Sequence, residues 1–217
     1  SNEELKKENI KSFDYLVKRR KKGEPIAYLI NKKEFWKQNF YMNQSVLIPR
    51  PDTEILIEEI LKIYKHKDNI SILDIGVGSG CILLSIVKEK PGFYGTGIDI
   101  SNKSIKLSRI NAKKLKIIEK VKFVKTNVDN FCFGKYDLIV SNPPYIKSSK
   151  IKYLEKDVSY FEPKSALDGG LDGTLKILKI AKKASTLLKT NGKLVLEIGY
   201  DQKIKVINIL KKNGFYV

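Results

Sequence analysis

Cysteine is scarce in this sequence: two in 217 residues, Cys81 and Cys132. They share no CxxC or Cys/His spacing, which argues against a structural metal and fits a reducing, cytoplasmic setting. Cys81 opens an apolar helical stretch and reads as a small core residue. No apolar run approaches the length of a membrane span, so no membrane association is expected, and no signal peptide is visible. Internal repeats and low-complexity tracts are also missing. Ser1-Asn2 reads as a cloning remnant, and the chain as a trimmed piece that begins inside a helical pattern. Arginine is rare: Arg19, Arg20, Arg50 and Arg109 are the only four.

Positive charge is abundant, with 42 Lys and Arg against 24 Asp and Glu, a formal net charge of +18. Such a balance is common in proteins that touch nucleic acid or ribosomes. Here the charge is nearly all lysine, scattered over every expected element and accompanied by much isoleucine and asparagine. That pattern is what drift toward AT-rich codons produces, and it outweighs a dedicated nucleic-acid face. Ribosome proximity stays compatible with it. The length allows one ordinary domain plus part of a second, and an apolar fraction of 42% is enough for a packed core.

Residues 3–22 show an imperfect apolar stripe of Leu5, Phe13, Leu16 and Val17. This predicts a helix with a basic end at Lys18–Lys22, stopped by Gly23-Glu24-Pro25. Residues 1–25 are read as the end of an N-terminal helical domain. Residues 26–50 carry apolar and aromatic side chains at strand-like spacing (Tyr28, Leu29, Phe35, Trp36, Phe40, Tyr41, Val46–Ile48). Turns are expected at Asn31-Lys32-Lys33 and Met42-Asn43-Gln44, giving a β-hairpin linker. The rigid run Ile48-Pro49-Arg50-Pro51 follows. Asp52 or Thr53 is expected to cap a helix over 54–64.

From residue 70 the pattern alternates regularly. Strands are predicted at 70–75, 93–100, 121–126, 136–141 and 193–198. Helices are predicted at 81–89, 102–115 (capped by Ser101), 175–188 (closed by Asn191-Gly192) and 202–212. Residues 146–171 read as mostly loop, and Gly214–Val217 as the opening of a sixth strand cut short. Strands that are near-continuous apolar runs, alternating with helices, imply an α/β fold with a mostly parallel sheet covered on both faces. The domain expected over 51–217 is of this Rossmann-like type.

Two turns carry chemistry. The first, Asp74-Ile75-Gly76-Val77-Gly78-Ser79-Gly80, leaves a strand and enters a helix. Its glycines permit unusual φ values and close backbone approach to a ligand. Asp99 ends the next strand, where a carboxylate can accept hydrogen bonds from a ribose. The spacing is GxGxG, unlike the GxGxxG of dinucleotide folds. Asp74 would repel a phosphate but suits an ammonium or sulfonium group. The pattern resembles the S-adenosyl-L-methionine site of class I methyltransferases. The second turn, Asn142-Pro143-Pro144-Tyr145, ends the strand 136–141, because neither proline can donate to a ladder. Read alone, it is equally an ordinary proline-rich strand exit. Read with the first turn, it suits methylation of a planar nitrogen whose lone pair is delocalised. The Asn142 side-chain oxygen and Pro143 carbonyl can hold the two amide hydrogens, while the Tyr145 ring stacks on the substrate.

Several separated segments together resemble the release-factor glutamine methyltransferases. They are 23–29, Glu34-Phe35-Trp36, Val46 to Glu54, Asp74 to Gly80, Gly97 to Ser101, Ser141 to Ile146, Glu162 to Gly173 and Leu196 to Gly199 with Gln202. The resemblance covers roughly residues 23–217. It implies S-adenosyl-L-methionine as methyl donor, no metal, class 1 peptide chain release factors as protein partner, a monomer, and transfer to the glutamine of their Gly-Gly-Gln loop. It further implies that Gly76, Val77, Gly78, Ser79 and Gly80 line the methionine end of the cofactor. Asp99 would hold the ribose, and Asn127 and Val128 would flank the adenine. Asn142 would touch cofactor and substrate, and Pro143, Pro144 and Tyr145 would form the glutamine pocket. Arg50 and Thr53 would close over the cofactor. The chain departs from the family at Asp52, where Glu is usual, and at Val77, where Thr or Cys is frequent. It shows only the last helix of the family's N-terminal bundle and lacks the closing strand hairpin. The competing readings are an amino-methyltransferase acting on adenine or guanine of RNA or DNA, and a non-catalytic binding module.

Overall fold

A computed structural model describes residues 7–217, with Lys7 and Glu8 described by backbone alone. Leu5, expected in the first helical stripe, lies outside the described residues. The first helix, α1 (Lys7–Lys21), ends in the expected basic turn. A short helix, α2 (Ile26–Leu29), follows where a strand was expected. It buries Ala27, Tyr28 and Leu29.

The hairpin is β1 (Lys32–Phe35) with β2 (Gln38–Tyr41), paired antiparallel. Its turn is Trp36-Lys37, not Asn31-Lys32-Lys33. Both turn residues have positive φ, 45° and 61°, the backbone form that suits a two-residue hairpin connection but disfavours side chains. Contacts to neighbouring helices offset that cost. The Trp36 amide donates to Glu54 (2.9 Å), and the Trp36 ring nitrogen and Lys37 Nζ both donate to Glu89 (3.1 and 3.3 Å). Phe35 and Phe40 are fully buried and meet edge to face. Val46–Ile48 form no strand.

Helix α3 (Thr53–Ile63) begins without a side-chain cap from Asp52 or Thr53. The amides of Thr53, Glu54 and Ile55 find the carbonyls of Arg50, Pro51 and Asp52 instead, so the unpaired donors of a helix start need no hydroxyl or carboxylate. The alternating unit then runs β3 (Ser71–Ile75), α4 (Cys81–Glu89), β4 (Tyr94–Asp99), α5 (Asn102–Lys114), β5 (Val121–Lys125) and β6 (Tyr136–Ser141). Ser101 caps α5 through its side chain, as expected. Residues 146–171 hold more structure than a loop. Two 3-10 turns, Ser148–Tyr153 and Lys164–Ala166, flank α6 (Lys156–Phe161). The chain closes with α7 (Leu175–Leu187), β7 (Leu188–Leu196) and α8 (Lys203–Lys212). Asn191-Gly192 does not close α7. It lies in a register shift of β7 against β6, between the pairs Tyr136 with Leu188 and Leu138 with Lys193. Residues 214–217 form no strand; Phe215 packs on the core instead.

The sheet order is β5-β4-β3-β6-β7, and every pairing is parallel. All five β3 residues are buried, as a central strand with both faces covered demands. Successive side chains face opposite layers. Ile72, Leu138 and Val140 join the layer of α3, α4, α5 and the hairpin, whereas Leu73, Ile75 and Ile139 join the layer of α7. The chain runs outward from β3 to β4 and β5, then returns to place β6 on the other side of β3. The order therefore reverses at the β3/β6 boundary, and ligands in open α/β sheets bind outside the strand ends at such a point.

Helix α4 lies close on β4 because Gly95 has no side chain. A Cβ there would sit 2.4 Å from Leu83 Cδ1. Gly95→Ala is expected to lower stability by about 1–3 kcal/mol through overpacking, read as a lower urea midpoint at unchanged slope. A midpoint equal to that of the parent would show that α4 shifts freely.

Candidate active site

At the reversal point the β3 and β6 ends are tied together: Ser141 Oγ, fully buried, donates to the Ile75 carbonyl at 2.5 Å. The two chemistry-bearing turns leave from these neighbouring ends. The glycine turn folds back on β4, with the Gly76 and Val77 amides both donating to the Ile98 carbonyl (2.9 and 3.0 Å). Gly76 and Gly78 hold φ of 80° and 54°, and the Cβ direction of Gly76 is open space. A side chain there would strain the backbone and fill the cradle.

A cleft of about 500 Å³ opens above these ends. Among the expected site residues, Gly76, Val77, Gly78, Ser79, Asp99, Asn127, Val128, Asn142, Pro143, Pro144 and Thr53 line it. Three expected residues do not. Gly80 sits at the start of α4, where its Cβ direction meets Leu84 and Ser108. Arg50 turns to Glu162 at 2.5 Å and to the Ile48 carbonyl at 2.6 Å. The buried Glu162 also accepts from the Ile48 amide, so the guanidinium is committed to bracing the Pro49–Pro51 segment. Tyr145 is half-buried beside the cleft, with its hydroxyl 3.3 Å from Glu197 Oε1. Burial pushes the Tyr145 hydroxyl pKa up to about 12, with the Glu197 charge adding to it.

The Asn142 amide is oriented by Thr53. Its Nδ2 donates to the buried Thr53 Oγ1 at 3.3 Å, which leaves Oδ1 as the remaining acceptor. The turn behind it is held by close backbone approach. A Cβ on Gly169 would lie 2.8 Å from the Pro144 carbonyl and from Tyr145 Cα, and one on Gly173 would lie 2.4 Å from the Tyr145 carbonyl. The buried Gln202 completes the brace, its Nε2 donating to the Tyr145 and Gly173 carbonyls (2.9 and 3.2 Å). Sequence reading placed Gln202, Gly169 and Gly173 only within resembling segments and gave them no role. It also missed the wall formed by Ser45, Val46 and Leu47 after the hairpin. Nothing in their residue types marks them.

Two carboxylates sit at neighbouring strand ends. Asp99 accepts from the Gly78 amide (3.0 Å) and the Ser101 amide (2.8 Å), so both oxygens are fixed. Burial nevertheless raises its pKa. Asp74 is 1% exposed, and neither of its oxygens has a hydrogen-bond partner. Burial pushes it up to about 7. A carboxylate left so is costly when charged, and the arrangement suits a cationic ligand. The glycine turn itself offers no basic side chain to a phosphate. Among the described residues no cluster of His, Cys, Asp and Glu could hold a metal ion.

Because the folded Asp74 holds its proton to about pH 7 while an unfolded one releases it near pH 4, the folded state binds more protons between these values. Stability then falls as pH rises through that window. Urea unfolding at about pH 5 and about pH 7.5 is expected to show this fall, and Asp74→Asn is expected to flatten it. An equal slope in parent and variant would assign the effect elsewhere.

The family described as Methyltransferase small domain matches residues 51–158. The release factor glutamine methyltransferase of Caulobacter vibrioides is 38% identical over 212 residues, covering 97% of this chain and 73% of that protein. The protein of the same name from Buchnera aphidicola subsp. Schizaphis graminum is 42% identical over 213 residues, covering 98% and 76%. In fold, the chain resembles the ribosomal protein L11 methylase of Lactobacillus delbrueckii subsp. bulgaricus, with a TM-score of 0.58 at 22% identity over 80% of this chain and 73% of that one. With two relatives matched at this identity over about three quarters of their length, the chain belongs to the release factor glutamine methyltransferase family.

Proposed function

We propose that the chain transfers a methyl group from S-adenosyl-L-methionine to the side-chain amide nitrogen of the glutamine in the Gly-Gly-Gln loop of class 1 peptide chain release factors. The observation that carries this reading is the Asn142 amide, which lines the cleft with its nitrogen held by Thr53 and its oxygen left as the remaining acceptor. S-adenosyl-L-methionine, when bound, supplies a methyl group on a sulfonium centre. The residues fit such a group: the open Gly76 cradle, the pre-oriented Asp99 carboxylate and the unpartnered Asp74 beneath the turn. Gly76 to Ser79 would receive its amino-acid end, Asp99 its ribose, and Asn127 with Val128 its adenine.

A side-chain amide nitrogen is a weak nucleophile because its lone pair is delocalised. Asn142 Oδ1 and the Pro143 carbonyl would accept its two hydrogens and turn the nitrogen toward the cleft. Such positioning contributes about 7–11 kcal/mol in well-oriented systems. Neither oxygen is a base at neutral pH, so these groups orient the nitrogen and do not deprotonate it; the displaced proton would pass from the nitrogen to water once the methyl group has arrived. Pro144 and Tyr145 would wall the substrate on the outer side of the turn, where Glu197 holds the phenol.

The test is mass spectrometry of a class 1 release factor incubated with the chain and S-adenosyl-L-methionine. One methyl group on the Gly-Gly-Gln glutamine is expected. Methylation of protein-free RNA or DNA, with none on the factor, would replace this reading by a base amino-methyltransferase. Asn142→Ala is expected to lower kcat at least about 100-fold, and parent-like turnover would remove the amide from the mechanism. Asp99→Ala is expected to weaken cofactor binding by about 1.5–3 kcal/mol, measured by calorimetry, and an unchanged Kd would take the carboxylate out of the site.

A further inference from the structure

Asn111 lies in α5 and is 1% exposed, an unusual depth for an amide side chain. Each of its contacts is a good hydrogen bond. Its Oδ1 accepts from the Tyr41 amide at 2.7 Å, and its Nδ2 donates to the Tyr41 carbonyl at 3.1 Å. The side chain thus pairs with β2 in both directions, like a rung of a sheet ladder. The same Nδ2 donates to the Ser79 carbonyl at 2.9 Å, inside the glycine turn. One turn earlier on α5, Ser108 Oγ donates to the Gly78 carbonyl at 2.8 Å. Two successive carbonyls of the turn are therefore held from α5, and one of the two holding residues also grips the end of the hairpin.

The hairpin's far end is anchored to α3 and α4 through Trp36, and the chain leaving β2 supplies Ser45, Val46 and Leu47 to the cleft wall. Movement of Tyr41 thus has two consequences for the cleft. It shifts the wall through the chain, and it shifts the glycine turn through one amide group.

We infer that Asn111 is a positioning residue that couples the β-hairpin to the cofactor turn, so that ligand binding in the cleft rigidifies Tyr41, and the hairpin's order in turn sets cofactor affinity. The inference rests on the reading of the cleft as an S-adenosyl-L-methionine site. Coupling of this kind is reciprocal. A purely structural tie would alter stability alone and leave the ligand's effect on the hairpin unchanged.

Amide hydrogen exchange of the intact chain, with and without saturating S-adenosylhomocysteine, tests it. In the parent, the Tyr41 amide is expected to gain protection on ligand binding, by more than amides of α8 gain. Asn111→Asp keeps the acceptor for the Tyr41 amide but loses both donors. It is expected to keep the basal Tyr41 protection, lose the extra ligand-dependent gain, and bind S-adenosylhomocysteine about tenfold more weakly. Asn111→Ala is expected to lose basal protection as well. A parent that binds ligand with no extra gain at Tyr41 overturns the inference, whether or not either variant folds. An Asn111→Asp variant that retains the gain also overturns it. A parent that binds no S-adenosylhomocysteine overturns the reading of the cleft, and the inference with it.

Discussion

The pairing of β3 with β6 is the constraint on which the site depends. These strands are neighbours in the sheet although α4, β4, α5 and β5 lie between them in the chain. Their parallel register, Ile72 with Leu138 through Asp74 with Val140, brings the glycine turn and the Asn-Pro-Pro-Tyr turn out side by side. The Ser141 hydroxyl then fixes the two ends to each other through the Ile75 carbonyl. A one-residue slip would exchange the faces of Leu138, Ile139 and Val140, which pack in different layers. The two buried layers therefore set the register, and the register sets the distance between the cofactor side and the acceptor side of the cleft.

Around that fixed pair the molecule uses irregular backbone held by buried polar side chains. The segment from Ile146 to Gly173 is short of sheet and long helix, yet it is knitted to the second turn. Ile146 pairs with Asp168 as an isolated bridge, and the Ser148 amide reaches the Gly170 carbonyl. Gly169 and Gly173 allow this because no Cβ stands between the backbones. Gln202 serves the second turn as Asn111 serves the first. Each is a buried amide whose donors reach carbonyls that the sheet ladder leaves unpaired. Such groups are costly when unsatisfied and rigidifying when satisfied, so these two amides tie the loops to the strands that carry them.

The sequence disclosed what strong periodicity and special residues encode. The five strands, α4 and α5, and the Ser101 cap follow from apolar runs and a hydroxyl before a helix. The glycine turn, Asp99 and Asn142 follow from residue type at a strand end. Much of what stayed hidden was decided by distant partners. The Trp36-Lys37 turn carries no Asn or Gly, because Glu54 and Glu89 offset the positive φ of its two residues. Helix α3 starts without a cap because the proline-rich run supplies carbonyls. Arg50, expected to close over the cofactor, meets a carboxylate 112 positions away. For the hairpin turn and for Arg50 the local signal was overruled by a residue far off in sequence, where a local pattern carries no information; at α3 it was overruled by backbone carbonyls next to the helix start.

Charge shows the same limit at a larger scale. The chain carries a net charge of +18, yet the half-buried Asp99 lines its cleft, the buried Asp74 lies just before the glycine turn, and that turn carries no basic side chain. Asp99 is satisfied by two backbone amides, whereas Asp74 has none. Bringing a cation near this pair favours the charged form of both groups and reverses the rise that burial imposes. A phosphate in the same position would add a third negative charge where two are already costly. Asp74 and Asp99 together therefore favour a cation over an anion at the glycine turn. Lys164, Lys176 and Lys179 also line the cleft, with Lys179 paired to Asp129 at 2.5 Å, whereas the lysines elsewhere act through water and salt, where each contributes little. Net charge thus says little of the glycine-turn end of the cleft, where the carboxylates Asp74 and Asp99 stand.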